Sequence, residues 1–404
     1  MPGVIEFPEV VKKAMEDYKQ IFANEPERRH FAEYLTGLII AERKTVLGIN
    51  QEFSVTTDQS CLNRFLTEVD WDVQRLNARR LELMQKDPRS RYSAQGVVAI
   101  DNVLIDHSGK LIEDVGWYWD HAEKRYTIAH DYLIANYVCT SGKHYPLEFR
   151  LFRARERAEA LGEPFRNHTA LCIELVDWVL ERQIPGDFTF DNYFSSAEIL
   201  NHIHGKGRGY VGDLKSNRKV KHQGQEVSIG AFAKGVAPEA KKAVRIGGEL
   251  QWYFTKSFWI RGVDHRVRIV LLWEHRKDRE PAKILITNRV YWEVSRILRV
   301  YRRRWTGTET FHRDGKQSLG MGDCQLRSRR GQTLHMYLVF VAYSLLMFEL
   351  KQVHACEWAL VKLTTIGEAC RAVLRDTLRK TIQWALSRSQ EGWSQEKIVQ
   401  LLAA

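Results

Sequence analysis

The sequence lacks the features that mark secreted and membrane-embedded proteins. The N-terminus has no apolar core of the kind that a signal peptide needs. The longest apolar run, around residues 336–349, is too short to span a bilayer and predicts a buried helix instead. These absences favour a cytoplasmic protein that does not associate with a membrane.

Cysteine is scarce and scattered along the chain. No Cys-x-x-Cys pair is present, so the sequence offers neither the spacing of a zinc site nor a disulfide framework. We therefore expect reduced thiols in a reducing compartment. The cysteines are Cys61, Cys139, Cys172, Cys324, Cys356 and Cys370.

Acidic residues are outnumbered by basic ones. The 404 residues include 61 Lys and Arg against 50 Asp and Glu, which gives a formal charge of +11. Such a chain suggests a polyanionic partner, most often a nucleic acid. Its length allows two or three domains with a core of good size, and no linker rich in Pro or Ser separates them.

The N-terminal segment has a helical pattern. Apolar residues recur at helical spacing through residues 31–49 and again through residues 62–84. The polar stretch between these runs supplies Ser and Thr residues that can cap the second one. Two short helices joined in this way suit a helix-turn-helix DNA reader, and they suit a plain helical bundle equally well.

The middle of the chain predicts a mixed α/β sheet. Residues 96–106 form a nearly continuous apolar run, as in a strand buried on both faces, and further strands are expected up to residue 152. A helix over 168–183, a short strand and a second helix follow. Residues 206–288 are β-rich and carry many Lys, Arg and aromatic residues, and the helical pattern returns at about residue 291. We predict five segments: 1–92 (helical, DNA-binding), 93–205 (core, first part), 206–288 (β-rich insertion), 289–350 (core, second part) and 351–404 (helical).

Two aspartates stand at unusual positions in this pattern. Asp101 lies inside the apolar stretch VVAIDNVLI, where a carboxylate is costly to bury unless the strand opens on a site or a metal neutralises the charge. A solvated strand end or a buried ion pair would also explain it. Asp191 follows the strand FTF, at the edge where open α/β sheets bind ligands. Its alternative role is to cap the following helix.

A glutamate stands in the basic stretch VYRRRWTGTETFHRDGK, residues 300–316. If the segment after Thr308 is helical, Glu309, His312, Arg313 and Lys316 share one face. Two alternatives stay open. Thr306-Gly-Thr-Glu309 matches a capping box, and Glu–Arg pairs at this spacing are common on helix surfaces.

Asp101, Asp191 and Glu309 together suit metal-assisted phosphoryl transfer. Mg²⁺ prefers oxygen ligands and binds through a few carboxylates together with substrate phosphate. Two such ions stabilise the attacking and leaving oxygens of an in-line displacement at phosphorus. We find no convincing Ser-His-Asp or Cys-His nucleophile in the sequence. Asp131 is a reserve carboxylate, because its strand could neighbour that of Asp101.

At this point the sequence resembles the DDE transposases of bacterial insertion sequences. It is most similar to the subgroup with a Tyr-Arg-Glu-Lys signature around the catalytic glutamate. Tyr301, Arg304, Glu309 and Lys316 match that signature, except that four residues, not three, separate Arg304 from Glu309. In a continuous helix the extra residue would rotate Glu309 by about 100°. A bulge at Gly307 or a helix that restarts near Thr306 could absorb it.

Two further motifs carry the resemblance. AIDNVLIDHSGK looks like the family's first-aspartate strand and FTFDNYF like its second-aspartate motif, which implies that Asp101, Asp191 and Glu309 are catalytic and hold the metal. The resemblance implies a ribonuclease H-like core that is interrupted after the second aspartate by the β-rich insertion. It also implies two Mg²⁺ ions per active site, with Mn²⁺ as a substitute.

The resemblance further implies what the protein does and where. It would bind terminal inverted repeats of double-stranded DNA as a homodimer, cleave at the transposon ends and join the 3′-hydroxyl ends to target DNA. It would work in the bacterial cytoplasm, associated with the nucleoid when bound to DNA. A ribonuclease H-like endonuclease without strand transfer and a non-catalytic DNA-binding protein derived from a transposase remain alternatives.

Basic and aromatic residues are candidates for contacts with DNA. Basic residues interleaved with aromatics suit backbone tracking and base stacking. In related transposases an insertion-domain tryptophan stacks on a flipped base, and Trp252 or Trp259 could do so here. The alternative is that these aromatics fill the core of a small sheet. The candidates are Tyr301, Arg304, His312, Arg313, Lys316, Lys215, Arg218, Lys219, Trp252 and Trp259.

Overall fold

The computed structural model describes residues 3–121, 123–350, 359 and 362–403. Cys356 and much of the start of the predicted helical segment 351–404 lie outside these residues. The chain forms two compact units, Met1–Arg91 with Leu104–His130 and Phe311–Ala404 (unit 1), and Tyr92–Val103 with Asp131–Thr310 (unit 2). Each unit combines stretches that are distant in the sequence, whereas the five predicted segments are consecutive. The division into five segments stays a prediction.

Helices and strands alternate through the middle of the chain, and both ends of the chain are mainly helical. The helices are α1 (Glu9–Tyr18), α2 (Glu25–Ile40), α3 (Val46–Asn50), α4 (Gln59–Thr67), α5 (Val73–Met84), α6 (Arg155–Ala160), α7 (His168–Glu181), α8 (Ala197–Gly205), α9 (Ile229–Lys234), α10 (Val294–Gly307), α11 (Glu309–Ser318), α12 (Arg329–Glu349), α13 (Ile366–Gln390) and α14 (Gln395–Ala403). The strands are β1 (Val97–Asp106), β2 (Gly116–Asp120), β3 (Arg125–Val138), β4 (His144–Phe152), β5 (Asp187–Phe190), β6 (Tyr210–Asp213), β7 (Lys219–His222), β8 (Gln225–Ser228), β9 (Lys242–Ile246), β10 (Glu249–Phe258), β11 (Val267–Trp273) and β12 (Lys283–Thr287).

Unit 1 is a helical assembly around α12. This helix is long and apolar enough to cross a membrane by length and composition, but most of it is buried inside the unit. It packs against α2, α4, α5 and α13, so it is a core helix, and the predicted buried helix around 336–349 is confirmed. Burial on all sides explains why its apolar residues show no single face.

The two helical runs predicted near the N-terminus are each divided. The first run forms α2 and α3, because Ala41 is extended and Thr45 caps a new helix by accepting a hydrogen bond from the Gly48 N–H. The second forms α4 and α5, since the Asp72 side chain accepts from the Arg75 N–H and starts α5. The helices are confirmed as elements, but each run was wrong as a continuous helix. A DNA-reading role for them stays a prediction.

Unit 2 is built on a mixed sheet whose strand pairs are mostly antiparallel. From β3 onward the strands follow the order β3-β1-β5-β6-β12-β11-β10-β9, and β4 also pairs with β3. The β1–β5 and β5–β6 pairs are parallel. Helix α10 packs against β4, β5, β6 and β9, where its apolar face joins the sheet in one hydrophobic core. This mixed α/β architecture is consistent with the ribonuclease H-like fold that the family resemblance implies.

The β-rich segment 206–288 continues the same sheet. Its first strand, β6, pairs in parallel with β5, and β12 then pairs with β6. Only β7 and β8 form a separate two-stranded sheet. The predicted start at residue 206 therefore falls just before a strand that neighbours the Asp191 strand, and an insertion in this region stays a prediction.

Candidate active site

Asp101 and Asp191 lie at the same level on neighbouring parallel strands. The β1–β5 register pairs Val98 with Phe188 and Ala99 with Thr189. Continuing this register by two residues brings Asp191 opposite Asp101, and adjacent strands lie about 4.8 Å apart. The two aspartates that stand ninety positions apart in the sequence therefore belong to one edge of the sheet.

The turn after β5 holds Asp191 in place. Its Oδ1 accepts hydrogen bonds from the Tyr193 N–H (2.8 Å) and the Phe194 N–H (3.4 Å). The Ser195 hydroxyl donates to the Asp191 carbonyl at 3.1 Å. Ser196, not Asp191, caps α8, because its side chain accepts from the Ile199 N–H. The alternative role of Asp191 as a helix cap is therefore wrong.

The chain breaks its helix just before Glu309. Helix α10 ends at Gly307, Thr308 separates the helices with φ −108° and ψ −70°, and α11 begins at Glu309. Thr306 lies inside α10, so the Thr306–Glu309 capping box does not form. The helix restarts at Glu309 and not near Thr306, which was one of the two ways predicted to accommodate the extra residue, and the signature itself stays a prediction.

Gly307 allows α10 to end in direct contact with the sheet. A Cβ on this residue would stand 2.6 Å from Val138 Cγ2 and 3.0 Å from the Ala99 Cβ. Only glycine fits this approach without displacement of the helix. The close packing brings the last turn of α10, with Arg304, to the strand that carries Asp101.

Arg304 connects the helix to the carboxylates. Its Nη1 donates to Asp101 Oδ2 at 2.8 Å and lies 3.9 Å from Glu309 Oε1. Both Arg304 and Asp101 are buried, while the Glu309 side chain is 43% exposed. Asp101 is thus part of a buried ion pair, as one alternative predicted, and it also lies beside the other two carboxylates.

The electrostatics show that the three carboxylates share one site. Burial and the negative charge of Asp191 raise the pKa of Asp101 to about 7, and Glu309 adds to this rise. Arg304 opposes it with its positive charge. Because one guanidinium faces three carboxylates, the site retains an excess of negative charge.

A fourth carboxylate, Asp213, lies on the same edge and was missed in the sequence. The β5–β6 register pairs Phe190 with Gly212, so the next residue pair is Asp191 and Asp213. The Ser195 hydroxyl donates to the Asp213 carbonyl as well as to that of Asp191. The motif YVGD, an aspartate directly after a short apolar strand, repeats the FTFD pattern and could have revealed it.

Asp213 connects this edge to Tyr301. The Tyr301 hydroxyl donates to Asp213 Oδ2 at 3.5 Å, and Lys283 Nζ lies 3.7 Å from the same oxygen. Burial raises the pKa of Asp213, and Lys283 opposes the rise. Tyr301 and Arg304, one turn apart on α10, therefore contact Asp213 and Asp101, respectively. Their predicted contacts with DNA stay predictions.

The remaining residues of α11 differ in exposure. His312 is buried, whereas Arg313 and Lys316 are exposed. Arg313 lies 3.3 Å from the carboxylate of its neighbour Asp314. Arg313 and Lys316 are thus accessible for the phosphate contacts that were predicted, which stay untested, and His312 presents little surface.

The candidates between β6 and β11 are mostly accessible. Lys215 and Lys219 are exposed, and Arg218 is half-buried. Trp252 is half-buried with the Arg276 guanidinium 5.1 Å above its ring. Trp259 is 53% exposed, so it does not fill a core. Base stacking by Trp252 or Trp259 stays a prediction.

A separate acidic cluster lies in unit 1. Among the residues that the structure describes, Asp106, Asp120 and Glu123 are the one group of three whose potential ligand atoms all lie within 4.8 Å. Arg125 contacts both Asp106 (3.4 Å) and Glu123. Two carboxylates of this cluster are therefore already paired with the Arg125 guanidinium.

The residues of the Asp101 site fit a hard divalent cation. Asp101, Asp191 and Glu309 all offer carboxylate oxygens as metal ligands. The negative charges of Asp191 and Glu309 raise the pKa of Asp101, which indicates a site that favours a bound cation. The oxygen atoms of the three carboxylates do not all lie within 4.8 Å of one another. Asp131 is not part of this set, because its oxygens accept from Asn102 and His168.

The mixed α/β fold brings together carboxylates from the middle of β1 (Asp101), from the turn after β5 (Asp191) and from the start of α11 (Glu309). The chain belongs to the family described as DDE superfamily endonuclease, whose sequence model matches residues 17–236, more than half of the chain. The match includes Asp101 and Asp191 and ends before Glu309. Members of this superfamily generally use divalent metal ions and act on DNA. A comparison with curated proteins gives no match.

Proposed function

We propose that this protein is the DNA transposase of a bacterial insertion sequence. It binds terminal inverted repeats, cleaves at the transposon ends and joins the 3′-hydroxyl ends to target DNA. The observation that carries the proposal is the convergence of Asp101, Asp191 and Glu309 around Arg304 in a DDE superfamily endonuclease.

The three carboxylates have distinct surroundings that suit the proposed chemistry. Asp101, Asp191 and Glu309 would hold two Mg²⁺ ions, or Mn²⁺ in their place, which when bound stabilise the attacking and leaving oxygens of an in-line displacement. Arg304 pairs with the buried Asp101, and its positive charge opposes the rise of the Asp101 pKa. The Glu309 side chain is 43% exposed, so it is accessible to a bound partner. The chain itself needs no covalent nucleophile, because water or a DNA 3′-hydroxyl attacks phosphorus.

The charge of the chain supports double-stranded DNA as the partner. The formal charge of +11 and the exposed Lys215, Lys219, Arg313 and Lys316 supply cations for backbone phosphates. Two DNA ends must be joined to one target, so we propose that the protein acts as a homodimer on DNA. It would act in the bacterial cytoplasm, at the nucleoid.

The decisive experiment is strand cleavage on a duplex that carries the DNA flanking the gene. We expect cleavage at the repeat end with Mg²⁺ or Mn²⁺ and none with EDTA. Asp101→Asn, Asp191→Asn and Glu309→Gln should each lower the rate at least about 100-fold, because each removes a charged ligand. Asp106→Asn, at the far end of β1, is the matched control and should cleave at the wild-type rate.

A strand-transfer assay separates the alternatives. Pre-cleaved ends with free 3′-hydroxyls are incubated with a supercoiled target plasmid and Mg²⁺. Joined products support the transposase. Cleavage without joining would identify an endonuclease, and binding of the repeats without cleavage would identify a DNA-binding protein. Full activity of all three carboxylate variants would refute the site itself.

A further inference from the structure

A hydrogen-bonded chain of side chains lies beside the catalytic carboxylates in unit 2. Asp131 in β3 is buried, His168 is the first residue of α7, and Tyr193 belongs to the turn after Asp191. Asn102, which follows Asp101, joins them from β1. The sequence pattern singled out only Asp131, as a reserve metal ligand.

The hydrogen bonds link Asn102 to Tyr193 through the two carboxylate oxygens of Asp131 and the imidazole of His168. Asn102 Nδ2 donates to Asp131 Oδ1 at 3.0 Å, and His168 Nε2 lies 2.7 Å from Asp131 Oδ2. Because a carboxylate oxygen accepts, the proton on His168 is assigned to Nε2. In this tautomer, Nδ1 accepts from the Tyr193 hydroxyl at 3.2 Å. The imidazole is also stacked on Phe152, with ring centroids 4.0 Å apart.

Tyr193 is held at both ends but remains open to solvent. Its N–H donates to Asp191 Oδ1 at 2.8 Å, and its hydroxyl is directed to His168. The residue is nevertheless 53% exposed, although exposed tyrosines ordinarily place their hydroxyl in water. Phe194 packs edge-on against it, with centroids 5.2 Å apart. An aromatic ring is thus fixed in orientation before any partner binds, two residues from Asp191.

The direction of the hydroxyl indicates which part of DNA the ring suits. Its proton is donated to His168, so its outward side offers only lone pairs, which disfavour contact with a phosphate. The ring face carries no such restriction, and every base can stack on it. A ring that is ordered in advance loses less entropy on binding.

We propose that Tyr193 stacks on a DNA base next to the scissile phosphate, and that His168 and Asp131 are positioning residues that fix its ring. This inference rests on the proposed function, because it takes DNA at the Asp101 site as the substrate. Asp131 acts through His168, and His168 acts through the Tyr193 hydroxyl. The link through Asn102 also couples the ring to the strand of Asp101.

The test measures stacking without cleavage. The probe is the duplex of the DNA flanking the gene, with 2-aminopurine placed at successive positions around the cleavage site and Ca²⁺ in place of Mg²⁺. We expect the wild-type protein to quench the fluorescence at one position. Tyr193→Leu should abolish that quenching and weaken binding about tenfold, whereas Tyr193→Trp should retain both. Tyr291→Leu removes a tyrosine that is 95% exposed and serves as the matched control.

A double-mutant cycle tests the positioning residues. Tyr193→Phe and His168→Gln should each weaken binding severalfold, and the double variant should bind no worse than either single variant, since both break the same hydrogen bond. Additive losses would overturn the role of His168. Wild-type quenching by Tyr193→Leu would overturn the role of Tyr193.

The outcomes distinguish this inference from the proposed function. Stacking that depends on Tyr193 in a protein that never cleaves would leave the inference standing and refute the transposase. Cleavage by a Tyr193→Leu protein with unchanged quenching would refute this inference and leave the proposed function standing. Thermal melting of each variant, compared with the wild-type protein, excludes misfolding as the cause of lost quenching.

Discussion

Arg304 is the residue that defines the electrostatics of the site. It is buried with Asp101 and lies within 3.9 Å of Glu309. Burial alone would lower the pKa of Arg304, but the adjacent Asp101 raises it above its ordinary value. A stable cation in this position partly offsets the rise of the Asp101 pKa, so it favours the ionised form that can serve as a metal ligand.

Replacement of Arg304 by glutamine leaves Asp101 buried without its cation. We expect a loss of stability of about 3–5 kcal/mol, the usual cost of breaking a buried pair, together with at least a hundredfold loss of cleavage. Denaturant unfolding and single-turnover cleavage measure the two effects. Arg302→Gln, on the exposed side of the same turn, is the matched control. Equal cleavage by the two variants would contradict this account of Arg304.

Asp213 should contribute negative charge without being one of the three main ligands. Asp213→Asn removes a unit charge about one strand spacing from Asp191, which alters the electrostatic energy by on the order of 1 kcal/mol. We expect the Mg²⁺ concentration for half-maximal cleavage to rise roughly threefold to tenfold. A magnesium titration checks this, with the exposed Glu239→Gln as control. An unchanged titration would show that Asp213 does not affect metal binding.

Helices α10 and α11 form the element that delivers both Arg304 and Glu309. A single helix through residues 294–318 would direct Glu309 away from Arg304, because of the extra residue in the signature. With the helix broken at Thr308, directly after Gly307, Glu309 lies 3.9 Å from Arg304. The Thr308 hydroxyl donates to the Arg304 carbonyl one turn earlier, and Gly307 lets the end of α10 pack closely on β1 and β3.

A methyl group at residue 307 should disturb this element. Gly307→Ala places a Cβ within 2.6 Å of Val138 and 3.0 Å of Ala99, so α10 must move. Overpacking of this kind costs about 1–3 kcal/mol, and the shift of Arg304 should slow cleavage as well. Gly205→Ala is the matched control, because its Cβ would meet no atom within 4 Å at the end of α8. If both variants melt and cleave alike, the packing argument is wrong.

At the scale of the whole molecule, the two units have different physical demands. Unit 2 gathers charge at one edge of a sheet, whereas unit 1 buries polar groups inside a helical core. His335 in α12 is one of these groups. Its Nε2–H donates to the Gly320 carbonyl at 2.9 Å, so Nδ1 accepts from the Tyr34 hydroxyl at 2.8 Å and the ring is neutral.

This buried histidine predicts loss of stability in acid. Burial lowers the pKa of His335 to about 4, below its ordinary value of 6.5. The unfolded chain therefore binds a proton first as the pH falls, and stability is full above pH 6.5 and is lost between pH 6.5 and pH 4. The loss from this one group amounts to about 3 kcal/mol at most.

Unfolding across that pH range checks the prediction. His335→Gln can keep both hydrogen bonds without a titrating group, so its stability should fall less than that of the wild-type protein between pH 6.5 and pH 4. Comparison of the two proteins removes the contribution of other groups, such as His107, whose pKa is also lowered by burial. Parallel pH curves for both proteins would exclude His335 as the cause.

Local pattern was sufficient to predict most elements and to single out Asp101, Asp191 and Glu309, whose catalytic role stays a prediction. The apolar run around Asp101 and the short strand before Asp191 predicted β1 and β5, because strands buried on both faces leave a continuous apolar signature. The signature around Glu309 pointed to the right helix. Each of these signals is local, and the longest runs only from Tyr301 to Lys316, so no knowledge of distant contacts was needed.

Distances along the chain explain what the sequence alone did not show. Asp213 and Tyr301 meet across 88 residues, and Arg304 and Asp101 across 203. No local period reports such pairings, because they depend on strand order and on how closely α10 packs on the sheet. The hydrogen bonds that link Asp131 to Tyr193 through His168 could not be predicted from the sequence for the same reason.

The sequence by itself determined the α/β class, the basic charge and the match to the DDE superfamily endonuclease family, and it supplied the three carboxylates of the proposed site. These are properties of residue type and short-range periodicity, which do not depend on tertiary contacts. The tertiary structure decided where the helix breaks before Glu309, which carboxylate pairs with Arg304, and that Asp213 and Tyr193 adjoin the site. Those features arise only when parallel strands align their ends, because alignment converts remote positions into neighbours.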